Sequence, residues 1–351
     1  MLLEKRIISF ARLGAVLREA GAGNEEPRLA VAIKQAHIHN GWFTEENIRI
    51  ALSSLGEMLR ESKLRDWISK YPQLTSQKPE GKKVGVIMAG NIPLVGFHDF
   101  LCVLMSGNTF EGKLASDDAF LLPATAKILC GLEPEFEERI HFTDKPFNNS
   151  ANISAFIATG SNNSARYFEY YFSKYPHIIR KNRNAIAILN GKETAADLRN
   201  LGKDIFQYFG MGCRNVSKIY IPKDYELDHF FKSIVDFGDV INHNKYYNNH
   251  QYYHTIYLLN NEKFLDNNFL MLKESKQIAS PVAALHYERY NNQTDLLKKL
   301  HDVRDQIQCV VSDDAIPSPW KKIRVKPGEA QSPELWDYAD GVDTMQFLLS
   351  L

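Results

Sequence analysis

The chain has 351 residues, of which 44% are hydrophobic and 24% are charged, a profile typical of a globular protein long enough for two domains. Lys and Arg number 42, Asp and Glu also number 42, and the formal net charge is therefore zero. A general nucleic-acid-binding protein usually carries a basic surplus, so this balance argues against one.

The first twenty residues combine charged side chains with an apolar stripe. The apolar positions recur at helical spacing: Leu3, Ile7, Phe10, Leu13 and Leu17. We expect an amphipathic helix packed on the protein's own body, with membrane association as the alternative. Charges interrupt the apolar residues, so no signal peptide is predicted. No run of about 18 apolar residues occurs in the chain, and no transmembrane helix is expected.

Residues 1–72 are predicted to be helical, with Thr44 capping a helix that begins with two acidic residues. Further along, short apolar strands alternate with helices. Strands are predicted at 83–88, 109–114, 140–142, 153–158, 185–189 and 217–221, and helices at 93–105, 117–132, 162–171 and 194–208. This alternation predicts a parallel sheet covered on both faces, with a ligand at the carboxyl ends of the strands. The segment 242–261, rich in Asn and Tyr, is interpreted as a helix and a loop.

The four cysteines form no CxxC pair and have no metal-ligand spacing. We therefore expect neither a disulfide scaffold nor a metal site, but reduced thiols in a cytoplasmic protein. Three of them, Cys102, Cys130 and Cys309, stand in apolar stretches and are expected to behave as small buried hydrophobic residues.

The fourth cysteine, Cys213, follows Gly210-Met211-Gly212 between a predicted helix and a predicted strand. Glycines allow close approach of a ligand to the backbone or a positive φ. Arg214 and Lys218 could lower the pKa of the Cys213 thiol, and the thiolate is the reactive form. The pattern therefore fits a nucleophile, although a structural turn gives the same pattern.

Three other features stand at predicted strand ends. Asn91 follows the first strand, where its amide can point into a crevice or cap the next helix, with Pro93 in the first turn. Gly160-Ser161 precedes a helix, whose backbone N–H groups can receive a phosphate. Lys113 ends the second strand. Neither GxGxxG nor GxxxxGK[ST] occurs, so the common dinucleotide fingerprint and the P-loop are both absent from the sequence.

In their order and spacing, these features resemble the aldehyde dehydrogenase superfamily. That superfamily has an Asn-x-Pro turn, a Gly-Asn-Thr strand ending in Lys, a Gly-Ser turn and a Gly-x-x-Cys loop before a strand. The matching residues here are Asn91-Ile92-Pro93, Gly107-Asn108-Thr109 through Lys113, Gly160-Ser161 and Gly210-Met211-Gly212-Cys213. Residues 278–282 are similar to a later Ile-Phe-Gly-Pro-Val segment. The resemblance covers about residues 85–285.

Within the superfamily, the chain most resembles the LuxC-type fatty acyl-CoA reductases, on residues 183–185, 210–217 and 338–344. The resemblance implies an α/β fold with a parallel-sheet cofactor domain, a smaller α/β catalytic domain and a helical N-terminal segment. We expect the helical segment and the nicotinamide-cofactor domain in 1–190, the catalytic domain in 191–316, and a tail packing back on the body in 317–351.

The resemblance also implies a reaction. Cys213 would attack an acyl-CoA thioester, the Asn91 amide and the Cys213 backbone N–H would hold the oxyanion, and NAD(P)H would reduce the acyl-enzyme to an aldehyde. The residues implied in cofactor binding are Lys113, Ser116, Gly160, Ser161 and Gln277. NADPH is expected to be preferred over NADH, because Ser116 stands where many NAD-dependent members have a Glu.

Two departures from the superfamily pattern bear on the reaction. Aldehyde-oxidising members carry a Glu that activates water for thioester hydrolysis, whereas the matching stretch here, residues 177–189, has no acidic residue. This favours acyl-thioester chemistry over aldehyde oxidation. Gln277 replaces the Glu that usually holds the nicotinamide ribose.

Two other functions stay open: another superfamily enzyme, acting on an acyl phosphate or oxidising an aldehyde, and a non-enzymatic binding protein on this fold. The expected partners are an acyl-CoA or acyl-thioester substrate and a second copy of the chain in a homodimer or larger assembly. The short connection from Leu64 to Lys83 leaves little room for the superfamily's oligomerisation hairpin. The resemblance also implies a protein that transfers the acyl group as a further candidate partner. No nucleic acid and no membrane is expected as a partner.

Overall fold

The computed structural model describes residues 1–76, 81–147, 152–314 and 316–351. They form two compact units. Unit 1 comprises Met1–Lys181 and Pro333–Leu351, and unit 2 comprises Asn182–Ser332. In the described ranges, no helix is long and apolar enough to cross a membrane.

Unit 1 begins with a helical segment, as the sequence predicts. Its helices are α1 (Leu3–Gly21), α2 (Pro27–His39), α3 (Glu45–Met58), α4 (Glu61–Ile68) and α5 (Gln73–Ser76). The stripe on α1 is buried: Phe10, Leu13 and Leu17 are fully covered, so the helix packs on its own protein. Thr44 caps α3, since its Oγ1 accepts the N–H of Asn47 at 3.2 Å. Of the connection from Leu64 to Lys83, residues 77–80 lie outside the described ranges.

A five-stranded parallel sheet follows in unit 1. Its strands are β1 (Lys83–Ile87), β2 (Thr109–Lys113), β3 (Ile140–Thr143), β4 (Ala155–Thr159) and β5 (His177–Arg180), in the order β3-β2-β1-β4-β5. The helices between them are α6 (Phe97–Met105), α7 (Leu121–Leu132) and α8 (Asn162–Phe172). The parallel sheet and its alternation with helices confirm the predicted fold class.

Unit 2 is built on a seven-stranded sheet. Its strands are β6 (Asn184–Ile188), β7 (Val216–Pro222), β8 (Phe264–Asp266), β9 (Met271–Glu274), β10 (Ala284–Tyr290), β11 (Ile307–Val311) and β12 (Arg324–Val325). Its helices are α9 (Ala195–Phe206), α10 (Leu227–Ser233), α11 (Asn244–Leu259) and α12 (Gln293–Asp302). The strand order is β12-β11-β6-β7-β10-β9-β8, and only the β8–β9 pair is antiparallel among these described strands.

The last residues of the chain belong to unit 1. After unit 2, the chain ends in α13 (Thr344–Leu349), and Leu335 and Met345 are fully buried in the core of unit 1. The Tyr338 hydroxyl accepts the N–H of Trp67 at 2.7 Å and lies 2.6 Å from the Tyr71 hydroxyl.

The compact units divide the chain at different residues from the predicted domains 1–190, 191–316 and 317–351. Strand β6 groups with unit 2, because its ladder partners are β7 and β11. Residues 316–332 group with unit 2 as well, and only the residues from Pro333 onward return to unit 1. The assignment of cofactor binding and catalysis to separate domains stays a prediction.

Candidate functional site

Cys213 lies in a turn that leads into the central region of the unit 2 sheet. We call residues 207–215 the Cys213 turn. Among the four cysteines, Cys213 is exposed, Cys102 and Cys309 are buried, and Cys130 is partly buried. The turn starts with three consecutive left-handed residues, Tyr208, Phe209 and Gly210, with φ of 53°, 57° and 76°. For a residue other than glycine this conformation costs about 1–3 kcal/mol, so other contacts must hold the turn.

The side chain of Asn215 supplies such contacts. It is 1% exposed, and its Oδ1 accepts the Gly212 N–H at 2.8 Å. Its Nδ2 donates to the carbonyls of Asp204 at 2.9 Å and Gln207 at 2.8 Å, at the end of α9. One buried amide therefore ties the end of α9 to the residue before Cys213. Asn215 lies in residues 210–217, which carry the family resemblance, but no sequence pattern predicted that its side chain would hold the turn.

A second anchor involves Asp204 and Arg214. The Asp204 carboxylate is fully buried and accepts the N–H groups of Gly328 at 2.7 Å and Ala330 at 3.0 Å. Arg214 Nε donates to the Ala330 carbonyl. Burial raises the pKa of Asp204 to about 6, although these backbone donors and the Arg214 charge oppose the rise. Segment 328–330 is therefore held against α9 and the Cys213 turn.

The prediction that Lys218 lowers the Cys213 pKa loses its basis. The Lys218 side chain is fully buried in β7, and its Nζ lies 2.5 Å from Glu288 Oε2 and 3.1 Å from the Lys276 carbonyl. Burial lowers the pKa of Lys218, while Glu288 raises it. The charge of Lys218 is thus balanced by its own carboxylate.

In unit 1, Asn91 lies in the turn between β1 and α6 and is half-buried. The helix predicted to begin at 93 begins at Phe97, because Leu94 adopts a left-handed φ of 58°. The Leu94 N–H donates to Asp118 Oδ2 at 2.7 Å. Asp118 therefore fixes the turn that carries Asn91, and no sequence pattern predicted this contact.

The position of Asp118 corrects a prediction. Asp117 and Asp118 were expected in the first turn of the next helix, but they lie in a 3-10 turn, Ser116–Asp118, and α7 begins only at Leu121. Asp118 faces inward at 7% exposure, and its Oδ1 has no hydrogen-bond partner. Burial raises the pKa of Asp118 to about 7, despite the bond from Leu94.

This raised pKa makes stability depend on pH. A carboxyl that binds its proton more tightly in the folded state stabilises the fold at low pH, and that contribution is lost between pH values of about 4 and 7. Asp118→Asn keeps an oxygen for the Leu94 N–H and removes the titration. We expect the free energy of unfolding of the wild type to fall by about 2–3 kcal/mol relative to the variant between pH 5 and pH 8.

Urea unfolding of both proteins at several pH values measures this difference. Asp117→Asn, at the exposed neighbouring position, is the matched control and should show little change. A difference between the wild type and Asp118→Asn that stays constant with pH would contradict the prediction.

The unit 1 cofactor candidates follow adjacent strands. Asn91, Lys113 and Gly160-Ser161 follow or end β1, β2 and β4, which are neighbours in the sheet, so one sheet edge carries all of them. Lys113 is half-buried, and its ammonium forms no ion pair with a described residue. Ser116 is exposed, and its backbone carbonyl lies 2.9 Å from His39 Nε2.

The Gly160-Ser161 turn begins α8, as predicted. A Cβ at Gly160 would lie 2.9 Å from Ser164 Cβ, so only glycine fits without a shift. Ser161 Oγ accepts the Ser164 N–H at 3.1 Å, and the Gly160 N–H donates to the Arg180 carbonyl at 3.3 Å. These two N–H groups are already bonded within the protein, so they are not the ones offered to a phosphate.

Gln277 lies in unit 2, in the loop between β9 and β10, and its residue is exposed. Its N–H donates to Ser275 Oγ at 3.1 Å. Unit 2 thus holds Gln277 and Cys213, while unit 1 holds the other candidates. In the part of the chain that the structure describes, no group of three or more His, Cys, Asp or Glu side chains could hold a metal ion.

Solved structures that are similar to this chain include aldehyde dehydrogenases. Aldehyde dehydrogenase 21 from Physcomitrella patens, in complex with the product succinate, superposes with a TM-score of 0.70 at 11% identity, over 100% of this chain and 84% of that one. The NADP complex of glyceraldehyde-3-phosphate dehydrogenase from Methanocaldococcus jannaschii gives a TM-score of 0.60 at 12% identity, over 90% and 77% of the two chains. At these identities the likeness establishes the aldehyde dehydrogenase fold.

The sequence profile of the acyl-CoA reductase (LuxC) family matches residues 23–230. The chain therefore belongs to the LuxC acyl-CoA reductase family, a family of oxidoreductases, and the resemblance stated from its motifs is confirmed. No curated protein matches the chain by sequence.

Proposed function

We propose that this protein reduces the acyl group of an acyl-CoA, with a fatty acyl chain, to an aldehyde through an acyl-Cys213 thioester. The observation that carries the proposal is the exposed Cys213, set in a strained turn anchored by Asn215, in a chain of the LuxC family. Such a turn presents a thiol to a substrate instead of burying it, as Cys102 and Cys309 are buried.

In the first step, Cys213 Sγ attacks the thioester carbonyl carbon. The new C–S bond forms, the bond to the sulfur of CoA breaks, and CoA leaves as its thiolate. The family resemblance assigns the oxyanion to the Asn91 amide and the Cys213 backbone N–H. Each such donor is typically worth about 3 kcal/mol of transition-state stabilisation.

In the second step, the acyl-Cys213 carbonyl is reduced. A bound nicotinamide cofactor supplies the hydride. The resulting hemithioacetal breaks its C–S bond, releases the aldehyde and restores the Cys213 thiolate. Residues 177–189 contain no acidic side chain that could act as the water-activating base, which supports reduction over hydrolysis of the acyl-enzyme.

The residues of unit 1 fit such a cofactor. The Lys113 ammonium and the Ser116 hydroxyl are donors at one sheet edge, and Gly160 lets the start of α8 pack closely against β4, since a Cβ there would lie 2.9 Å from Ser164 Cβ. Lys113, Ser116, Gly160 and Ser161 would hold the nucleotide, and Gln277 would bond a ribose hydroxyl. A homodimer and an acyl-transferring partner protein stay part of this proposal.

The experiment that tests the proposal has two parts. Purified protein is incubated with acyl-CoA of several chain lengths and NADPH, and both NADPH consumption and aldehyde are measured. Intact-protein mass spectrometry without NADPH then looks for an acyl adduct, which peptide mapping should place on Cys213. Turnover of acyl phosphate but not acyl-CoA would favour the other enzyme class, and the absence of any adduct or turnover would favour a binding protein.

We also expect NADPH to be preferred over NADH. A ribose 2′-phosphate carries a charge of about −1.5 to −2 near neutral pH, and Ser116 offers it a neutral donor instead of the Glu found in many NAD-dependent members. Lys113 can add a charge-assisted bond. The nearby Asp118 carboxylate is buried and accepts the Leu94 N–H through Oδ2, so it is not an exposed acidic group like the Glu of NAD-dependent members.

Kinetics of the wild type and of Ser116→Glu with both nucleotides check this preference. Ser116→Glu should shift the ratio of kcat/KM values toward NADH, while Ser173→Glu, at another exposed serine of unit 1, should not. An equal or better kcat/KM for NADH in the wild type would refute the prediction.

A further inference from the structure

Three consecutive backbone carbonyls in the loop before β10 are held by buried side chains of the unit 2 sheet. Lys218 Nζ donates to the carbonyl of Lys276 at 3.1 Å, His286 Nδ1 to that of Gln277 at 3.1 Å, and Ser217 Oγ to that of Ile278 at 2.8 Å. The three donor residues are 0%, 3% and 6% exposed, respectively. We call residues 276–278 the Gln277 segment.

The donors are themselves fixed. Lys218 and His286 face each other in the β7–β10 register, and Lys218 is paired with Glu288, whose other carboxylate oxygen lies 2.7 Å from Lys299 Nζ. Burial lowers the pKa of His286 to about 4, so the ring is neutral near neutral pH. A carbonyl can only accept, so Nδ1 carries the ring hydrogen.

As a consequence, the backbone of Gln277 is held firmly although the residue itself is exposed. The Gln277 N–H donates to Ser275 Oγ, its carbonyl accepts from His286, and the residue is exposed. A buried carbonyl needs a hydrogen-bond donor, but a backbone N–H or a water molecule would be enough. Burial alone therefore does not explain why three side chains of the sheet donate to three successive carbonyls.

The same short stretch of chain also holds the Cys213 turn. Asn215 binds the turn, and Ser217 and Lys218, two and three residues later, bind the Gln277 segment. Residues 215–218 therefore hold both the backbone of the Cys213 turn and the backbone of the Gln277 segment. We infer that they set the distance between Cys213 and Gln277 within unit 2.

We propose that Ser217, Lys218 and His286 are positioning residues, which hold the Gln277 segment so that the Gln277 amide meets a nicotinamide nucleotide at a set place relative to Cys213. This inference rests on the proposed function, because it takes Gln277 as a cofactor contact. It predicts that loss of a segment bond weakens nucleotide binding without slowing the reaction of Cys213 with the acyl donor.

Ser217→Ala tests the inference in the full-length protein. The variant should bind NADPH about fivefold more weakly in a fluorescence titration without acyl donor, as expected for one lost hydrogen bond, and its KM for NADPH should rise similarly. The rate of Cys213 acylation by acyl-CoA without nucleotide should stay within about twofold of the wild-type rate, because no bond of Asn215 is removed.

Ser233→Ala is the matched control. Ser233 is also 6% exposed, and its Oγ also donates to a carbonyl at 2.8 Å, but that carbonyl belongs to His229 in α10. A second pair of variants separates positioning from loss of fold. His286→Asn keeps a donor at the place of Nδ1 and should retain near wild-type affinity, whereas His286→Leu should lose affinity as Ser217→Ala does.

The outcomes separate this inference from the proposed function. If the wild type binds NADPH and Ser217→Ala binds it equally well, or if Ser233→Ala weakens binding as much, the inference is overturned and the proposed function stands. If the wild type binds no nicotinamide nucleotide, the proposed function and the inference both fail.

Discussion

Cys213→Ala is expected to lower acyl-CoA reduction by at least about 10⁴-fold, the scale of loss seen when other enzymes lose a covalent nucleophile. The Cys213 residue is exposed, so alanine leaves no buried cavity and the fold should survive. The bonds of Asn215 to Gly212, Asp204 and Gln207 do not involve the Cys213 side chain and should persist.

The measurement is NADPH consumption with acyl-CoA, beside intact-protein mass spectrometry. Cys130→Ala, at a partly buried cysteine of unit 1, is the control and should keep both turnover and the acyl adduct. More than a trace of turnover in Cys213→Ala would show that the thiol is not the nucleophile.

Asn91→Ala is expected to lower turnover by about 10²- to 10³-fold, the usual cost of one oxyanion donor. The turn that carries Asn91 should keep its conformation, because Leu94 stays bonded to Asp118. The loss should therefore appear in the chemistry and not in stability. Acyl-enzyme formation should slow as well, since the tetrahedral oxyanion forms in that step.

Rapid-quench labelling with acyl-CoA measures acyl-enzyme formation directly. Asn24→Ala, at an asparagine in the helical segment after α1, is the control and should label at the wild-type rate. If Asn91→Ala labels as fast as the wild type, Asn91 serves only the turn.

The elements that sequence patterns predicted are those with a strong local signal. Strands β1 and β7 are short, mostly apolar runs that are largely buried. No strand was predicted after residue 221, so β8 to β12 were all missed, and β8 and β12, with three and two residues, are too short to show a period. Strand β5 was missed as well, and although it lies close to β6 in the sequence the two belong to different sheets.

The side chains that hold the candidate site were harder to predict than the candidates themselves. Cys213 and Asn91 stand in recognisable motifs, whereas Asn215, Asp118 and Ser217 act through bonds to backbone atoms of residues 11 to 61 positions away in the sequence. Such bonds leave no periodic pattern, and only the path of the chain through space reveals them. Lys218 is the opposite case. It is close to Cys213 in the sequence, which suggested that its charge lowers the pKa of the thiol, but its ammonium is paired with Glu288.

The return of the chain to unit 1 affects the order in which the protein can fold during synthesis. Leu335 and Met345 are fully buried in the unit 1 core, and Tyr338 is hydrogen bonded to Trp67 and Tyr71. Residues 1–181 of unit 1 are therefore synthesised before unit 2, but the core of unit 1 is complete only after α13 has been synthesised. Unit 2, which is a continuous segment from Asn182 to Ser332, can complete its own sheet before then. Residues 1–181 therefore lack part of their hydrophobic core until residues 333–351 have been synthesised.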